Sequence, residues 1–244
     1  MNKILLGRNA SYALILMKEI GVFNLSICNS IKNIKNSFLP GFNQLSNEQF
    51  HILDKFNSMS IIKNSNSTVE AWAVIFKILG VEAARNNLET IYPISNNDIE
   101  KVEWLIEYFD LINSEDIKND IFNARTGIVQ RYKLMCMVEL IDRLCKIHLA
   151  LNGACYKDKV ENLKRIFRSR PYFPEQLKVT GEEMMEIAQE KPGRWISTAK
   201  DKLLYKLINV EKFPKENINT YMELVKEAIE EALVEETMKN EGLI

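Results

Sequence analysis

Hydrophobic residues recur at the spacing of an α-helix along most of the chain. The pattern is clear within residues 71–79, 102–109 and 134–145, where apolar side chains return every three or four positions. No stretch of comparable length alternates apolar and polar residues as a half-buried strand does. Residues 24–67 are rich in Asn and Ser and predict loop-rich joins between short helices. The sequence therefore predicts an all-α fold, an array of short helices with one longer helix over about residues 126–151.

Residues 177–207 carry the most detailed local pattern. Thr180 is placed to accept a hydrogen bond from the backbone three residues on, and Glu183 can reach back to Thr180, which together make a capping box. Pro192 removes a backbone donor and Gly193 tolerates a positive φ, so this pair predicts the end of the helix that the capping box opens. A second helix is expected to begin near Trp195. The pattern predicts two short helices joined by a tight turn.

The predicted turn is basic and ends on an aromatic residue. Lys191 and Arg194 flank its Pro-Gly pair, and a rigid loop of cations beside an indole suits a phosphate backbone. Arg194 is the strongest single candidate, because its guanidinium fork can bond two oxygens at once. Trp195 has two interpretations: a platform for a stacked base, or the packing anchor of the helix pair.

The composition predicts a folded protein with a sizeable core. The 244 residues suffice for one large or two medium domains, and 46% of them are hydrophobic. The N-terminus has too few apolar residues for a signal peptide, and no run approaches the roughly 20 apolar residues of a membrane span. We therefore expect a cytoplasmic protein without a membrane partner. The four cysteines are dispersed and there are two histidines, so neither a zinc site nor a disulfide framework is expected.

The formal net charge of −1 hides an asymmetry along the chain. Residues 143–215 contain 16 Lys or Arg against nine Asp or Glu, whereas the remainder contains 16 against 24. A cationic surface is what binding to a phosphate backbone requires, because released counterions drive the association. The alternative is that these lysines only solvate a helix. The candidate binding residues are Lys191, Arg194, Trp195, Lys200, Lys202, Lys206, Arg165, Arg168 and Arg170.

Several segments resemble one protein family in collinear order. The run V-T-G-E-E-M-M, then K-P-G-R-W-I, then a lysine-rich helix, is similar to the tail of the bacterial class II CCA-adding tRNA nucleotidyltransferases. Residues 5–23 resemble the passage from the neck of those enzymes into the body, and residues 70–76 and 94–99 resemble body helices of the Bacillus-like branch without an HD domain. The resemblance implies three segments: the end of a neck-like helix over 1–27, a helical body domain over 28–150 and a helical tail domain over 151–244.

The resemblance implies that the chain carries only the tRNA-holding part of such an enzyme. In the family, body and tail position the tRNA elbow and acceptor arm while a catalytic head adds CCA to the 3′ end. The G-S-x-x-R and D-x-D motifs of the head and the E-D-x-x-R motif of the neck do not occur in this sequence. We therefore expect no catalytic residue, metal ligand or cofactor in this chain; Mg²⁺ and CTP or ATP would bind the missing head. The expected partners are tRNA, a separate head and neck polypeptide, and a second copy of the chain through exposed apolar surface.

Two other interpretations remain open. The acidic residues 223–236 would repel phosphate, which favours a helical protein-interaction scaffold that has lost RNA binding.

A free-standing enzyme requires a catalytic constellation. His51 and Asp54 suggest a remnant of an HD-type phosphohydrolase, but such a site needs further histidines and only His148 remains, so packing or surface roles are expected. A group of acidic residues in the middle of the chain is interpreted as solvated charge: Asp110, Asp116 and Asp120.

Overall fold

The computed structural model describes residues 1–7, 9–24, 26–29, 34–37, 41–58, 68–90, 94–125, 133–211 and 217–242. The predicted all-α class is confirmed, since almost every described element is helical. Short 3₁₀ turns join several of the α-helices. In chain order the α-helices are α1 (Asn2–Leu5), α2 (Ala10–Glu19), α3 (Asn47–Ser58), α4 (Thr68–Leu79), α5 (Val81–Thr90), α6 (Asn96–Glu107), α7 (Ile117–Ala124), α8 (Lys133–Asn152), α9 (Lys157–Ser169), α10 (Gly181–Ala188), α11 (Trp195–Asn209) and α12 (Ile218–Asn240).

A small β-hairpin lies within the Asn- and Ser-rich segment. Strands β1 (Ser26–Asn29) and β2 (Ile34–Ser37) pair antiparallel, with Ser26 opposite Ser37 and Asn29 opposite Ile34. The sequence pattern did not predict this hairpin, because four-residue strands are too short to show an alternation. The predicted loop-rich joins also cover residues 25, 30–33, 38–40 and 59–67, which lie outside the described residues.

The longest predicted helix is present as α8, which ends one residue later than expected. Its expected first turns, residues 126–132, lie outside the described part of the chain. Among the described helices, none combines the length and the apolar character needed to cross a bilayer.

The chain divides into two compact units, and both are discontinuous in sequence. The first comprises Met1–Asn113 and Met135–Glu161. Its centre is α4, on which every residue from Val69 to Phe76 is buried. Aromatic rings pack along this helix: its own Trp72 and Phe76 stack with centroids 5.4 Å apart, and Phe42 meets Phe76 edge-on at 5.7 Å. Burial on all sides explains why α4 is the most uniformly apolar helix of this unit.

The second unit comprises Ser114–Leu134 and Asn162–Ile244. Helices α10, α11 and α12 share one hydrophobic core, in which Met184, Trp195, Leu203 and Val225 are almost fully buried. Helix α12 is long and acidic on its exposed side, while Tyr221, Val225, Ala228, Ile229 and Ala232 fix its apolar side in the core. This packing fixes the positions of the predicted basic turn and of the lysines of α11 within the second unit.

Candidate nucleic-acid interface

The predicted capping box opens α10. Thr180 Oγ1 accepts a hydrogen bond from the backbone N–H of Glu183 at 3.2 Å, and Glu183 Oε2 accepts one from the backbone N–H of Thr180 at 2.7 Å. These bonds hold the pKa of Glu183 below its ordinary value. The predicted helix pair is also present, because α10 ends at Ala188 and α11 begins at Trp195.

The expected role of Gly193 in ending α10 is wrong. The left-handed residue is Gln189, with φ 56° and ψ 33°, and its backbone N–H bonds the carbonyl of Met185. Gly193 is not among the glycines with positive φ. A Cβ built on Gly193 would lie 2.8 Å from Cδ1 of Trp195, closer than a real Cβ can approach. Glycine is therefore needed here for space rather than for backbone freedom.

Trp195 anchors the turn. Its side chain is only 3% exposed, and its indole N–H donates to the backbone carbonyl of Lys191 at 3.0 Å. The ring thus fills the core and closes the turn at the same time. Its burial agrees with the packing interpretation and leaves little of the ring surface for a stacked base.

Three cations in or after this turn have no ion-pair partner among the described residues, although the Glu236 carboxylate lies beside the turn, with Oε1 3.5 Å from a Cβ built on Gly193. Lys191 and Arg194 are exposed and Lys200 is half-buried, and none of them makes an ion pair within the described ranges. Lys200 lies close to the start of α10, because its Nζ is 4.0 Å from a Cβ built on Gly181. The start of α11 contacts the same point, since Ile196 Cγ2 lies 3.4 Å from that Cβ.

Lys202 and Lys206 are placed differently, since both face the acidic side of α12. The Nζ of Lys202 lies 3.0 Å from Glu235 Oε2. The Nζ of Lys206 lies 3.0 Å from Glu227 Oε2 and 2.8 Å from Glu231 Oε1, and the hydrogen bond to Glu231 is the main reason why its pKa is raised. These two lysines are neutralised within the chain instead of forming an open cationic face.

The three arginines of the predicted set have separate environments. Arg165 is exposed and its Nη2 donates to Asn162 Oδ1 at 2.8 Å, and Arg168 is exposed on the same helix, α9. Arg170 donates to the backbone carbonyls of Leu207 and Glu211 at 3.0 and 3.1 Å. Arg170 therefore stabilises the C-terminal end of α11, where a cation also complements the helix dipole.

A groove of about 690 Å³ runs between α7, α11 and α12. Lys202 and Lys206 line it together with Tyr205, whose side chain is 53% exposed. Arg125 forms part of its wall; its guanidinium carbon lies 3.9 Å from the ring centroid of Phe122. Sequence reasoning did not single out Tyr205, although an aromatic residue between two lysines of one predicted helix was a usable signal.

The residues considered for an HD-type site have structural partners. Ser11, which is 1% exposed, donates its hydroxyl and its backbone N–H to Asp54, and its Oγ lies 3.0 Å from His51 Nδ1. Burial would raise the pKa of Asp54, but the bonds from Ser11 outweigh it and the pKa is lowered. His148 is buried and its Nε2–H donates to the carbonyl of Phe109 at 2.7 Å, and burial lowers its pKa. No group of three or more potential metal ligands occurs among the residues that the structure covers.

The acidic residues of the middle segment also have local roles. Asp110 forms an ion pair with Lys77 at 3.0 Å, and Asp116 caps α7 by accepting from the backbone N–H of Asn119.

Comparison of this chain with protein-family models, with curated proteins and with solved structures found no match.

Proposed function

We propose that this chain binds structured RNA as the body and tail portion of a CCA-adding tRNA nucleotidyltransferase. In this proposal it positions the tRNA elbow and acceptor arm, and a separate or removed catalytic head performs the 3′-terminal CCA addition. The observation that carries the proposal is the rigid α10–α11 turn, which presents Lys191 and Arg194 to solvent with no carboxylate partner in the described residues.

Rigidity favours this turn as a phosphate-binding element. The indole bond to Lys191 and the close packing at Gly193 hold the backbone between the two cations in one conformation. A binding residue that is already ordered loses less conformational entropy when its ligand arrives. Arg194 is the residue immediately before α11, so the start of that helix fixes the position of its backbone.

Structured RNA is the ligand class that fits this chemistry together with the family resemblance. Duplex RNA is recognised mostly through phosphates, 2′-hydroxyls and shape, and this needs cations on a rigid surface more than pockets for bases. The collinear resemblance selects tRNA within that class, and a cytoplasmic location agrees with such a substrate. Mg²⁺ and the nucleoside triphosphate would bind the head and not this chain.

The test is a titration of tRNA lacking its CCA end at several salt concentrations. The variant Lys191→Ala/Arg194→Ala/Lys200→Ala removes the two cations of the turn and the unpaired Lys200 of α11. We expect binding in the micromolar range or tighter for the unaltered chain, and a salt dependence in the variant that is weaker by about 2 to 2.7 in log–log slope.

A matched control carries the same charge change elsewhere. Lys55, Lys157 and Lys226 are exposed residues of three other helices, and their triple alanine variant should bind tRNA almost as the unaltered chain does. An equal loss in both variants, or no binding at low salt, would reject the proposed interface.

The acidic helix favours a second candidate function, that of a helical scaffold for protein partners. Pairing of Lys202 and Lys206 with carboxylates of α12 removes two of the predicted phosphate contacts. This alternative predicts no retention of tRNA at low salt, together with recovery of a specific protein partner in a pull-down.

A further inference from the structure

Helix α12 carries carboxylates at a regular spacing along the side that faces α11. Glu227, Glu231 and Glu235 follow one another every fourth residue, and each contacts a lysine of α11 at 2.8 to 3.0 Å. Residues four apart on an α-helix are separated by about 6 Å along its axis, which places the three carboxylates in a row. A row of single negative charges is also what one strand of a nucleic acid presents to a protein.

A fourth carboxylate occupies the amide end of α11. Glu236 Oε2 accepts a hydrogen bond from the backbone N–H of Trp195 at 3.2 Å. The N-terminal amides of a helix are a common binding position for a phosphate oxygen. The carboxylates of α12 therefore contact both the amide end and the lysine face of α11.

We infer that the carboxylates of α12 mask a second phosphate-binding surface, formed by Lys202 and Lys206 on α11, and that an RNA backbone competes with them for these lysines. This inference rests on the proposed RNA-binding function and adds a regulatory element to it. The masked surface borders the groove of about 690 Å³, where Tyr205 offers an exposed ring on which an unpaired base can stack.

The mask can open without dissociation of α12. Exposed ion pairs contribute little net stability, since both partners are well hydrated when separated. The carboxylates of Glu227 and Glu231 are about half-exposed, so a competing phosphate can replace them by a change of side-chain rotamer. The apolar side of α12 remains in the core throughout, because Tyr221, Val225 and Ile229 are buried there.

The experiment compares two triple variants with the same charge change. Glu227→Gln/Glu231→Gln/Glu235→Gln removes the masking carboxylates. The control, Glu223→Gln/Glu230→Gln/Glu241→Gln, neutralises three exposed acids that make no ion pair in the described part of the chain. Both are titrated with tRNA lacking CCA and with heparin, and thermal melting by circular dichroism checks that each is folded.

We expect the unmasked variant to bind tRNA about tenfold more tightly than the unaltered chain at 0.1 M salt, with a log–log salt slope steeper by about 1.4 to 1.8 for two new phosphate contacts. The control should gain about twofold or less, because its charges act only through screened long-range attraction. Lys202→Ala/Lys206→Ala should abolish the gain in the unmasked background.

The outcomes separate this inference from the proposed function. If the unaltered chain binds tRNA but the two triple variants gain equally, the mask is rejected and the RNA-binding proposal stands. If neither the unaltered chain nor any variant binds tRNA at low salt, the proposed function is rejected and the inference with it. If the gain persists after Lys202 and Lys206 are removed, the masked surface is assigned to the wrong residues and the inference is rejected.

Discussion

Replacement of Gly193 by alanine adds one methyl group at the most crowded point of the α10–α11 turn. The new Cβ would lie 2.8 Å from Cδ1 and 3.3 Å from Nε1 of Trp195. The ring cannot easily move away, because it is buried and its N–H is bonded to the carbonyl of Lys191. The variant must therefore shift either the backbone of the turn or the packing of the ring.

The structure sets the size of this effect. Overpacking of a well-filled core by one carbon costs about 1–3 kcal/mol, and we expect about 2 kcal/mol for Gly193→Ala. In a unit of about 100 residues this corresponds to a decrease of about 10 °C in Tm. Gln189→Gly should instead raise the free energy of unfolding by about 0.5–1 kcal/mol. Gln189 has a φ of 56°, and glycine adopts that conformation without steric cost.

Thermal melting by circular dichroism measures both variants, and hydrogen exchange of peptides that cover α10 and α11 locates the change. Gly181→Ala is the matched control. It adds the same methyl group at the start of α10, where the nearest atom is at an ordinary contact distance of 3.4 Å, and it should alter stability by less than about 0.5 kcal/mol. The reasoning is refuted if Gly193→Ala behaves like this control, or if Gln189→Gly lowers Tm.

Two further predictions concern buried charge and helix capping. Glu70 is 2% exposed and lies 2.7 Å from Arg143, so Arg143→Met should destabilise the protein by about 3–5 kcal/mol at neutral pH. Burial raises the pKa of Glu70, so the folded state binds this proton more tightly than the unfolded chain does, and stability falls as pH rises through that pKa. Urea unfolding at pH 5 and pH 8 should therefore show a smaller loss for the variant at pH 5. Thr180→Ala should cost about 1 kcal/mol, and Glu183→Ala should add less in that background than alone, because both belong to one capping box; a double-mutant cycle by urea unfolding checks this.

Local signals were sufficient for much of the second unit. The capping box at Thr180 and the start of α11 at Trp195 were predicted from sequence because both depend on residues within a few positions of each other. The end of α10 was predicted at residues 191–193, whereas the helix ends at Ala188 with the left-handed Gln189 as its cap. Steric contact between Gly193 and the ring of Trp195 is a consequence of core packing, and no local pattern indicates it.

The charged residues show even more clearly that a local sequence pattern does not predict contacts between distant segments of the chain. The excess of cations over residues 143–215 is a property of the linear sequence, and it correctly indicates a basic turn with exposed Lys191 and Arg194. It does not indicate that Lys202 and Lys206 face carboxylates more than twenty residues further along the chain.

The sequence by itself determined the helical class, the capped helix pair and the identity of the available charges, because periodicity and capping act over one or two helical turns. Only the tertiary structure decided which cations remain available to a ligand. Helix α12 packs on α11 to bury its apolar side, and its carboxylates come to lie beside the lysines as a consequence of that burial. Whether a charge is free or paired depends on distances of 3 to 4 Å between segments far apart in the chain, and those distances are set by the packing of the core.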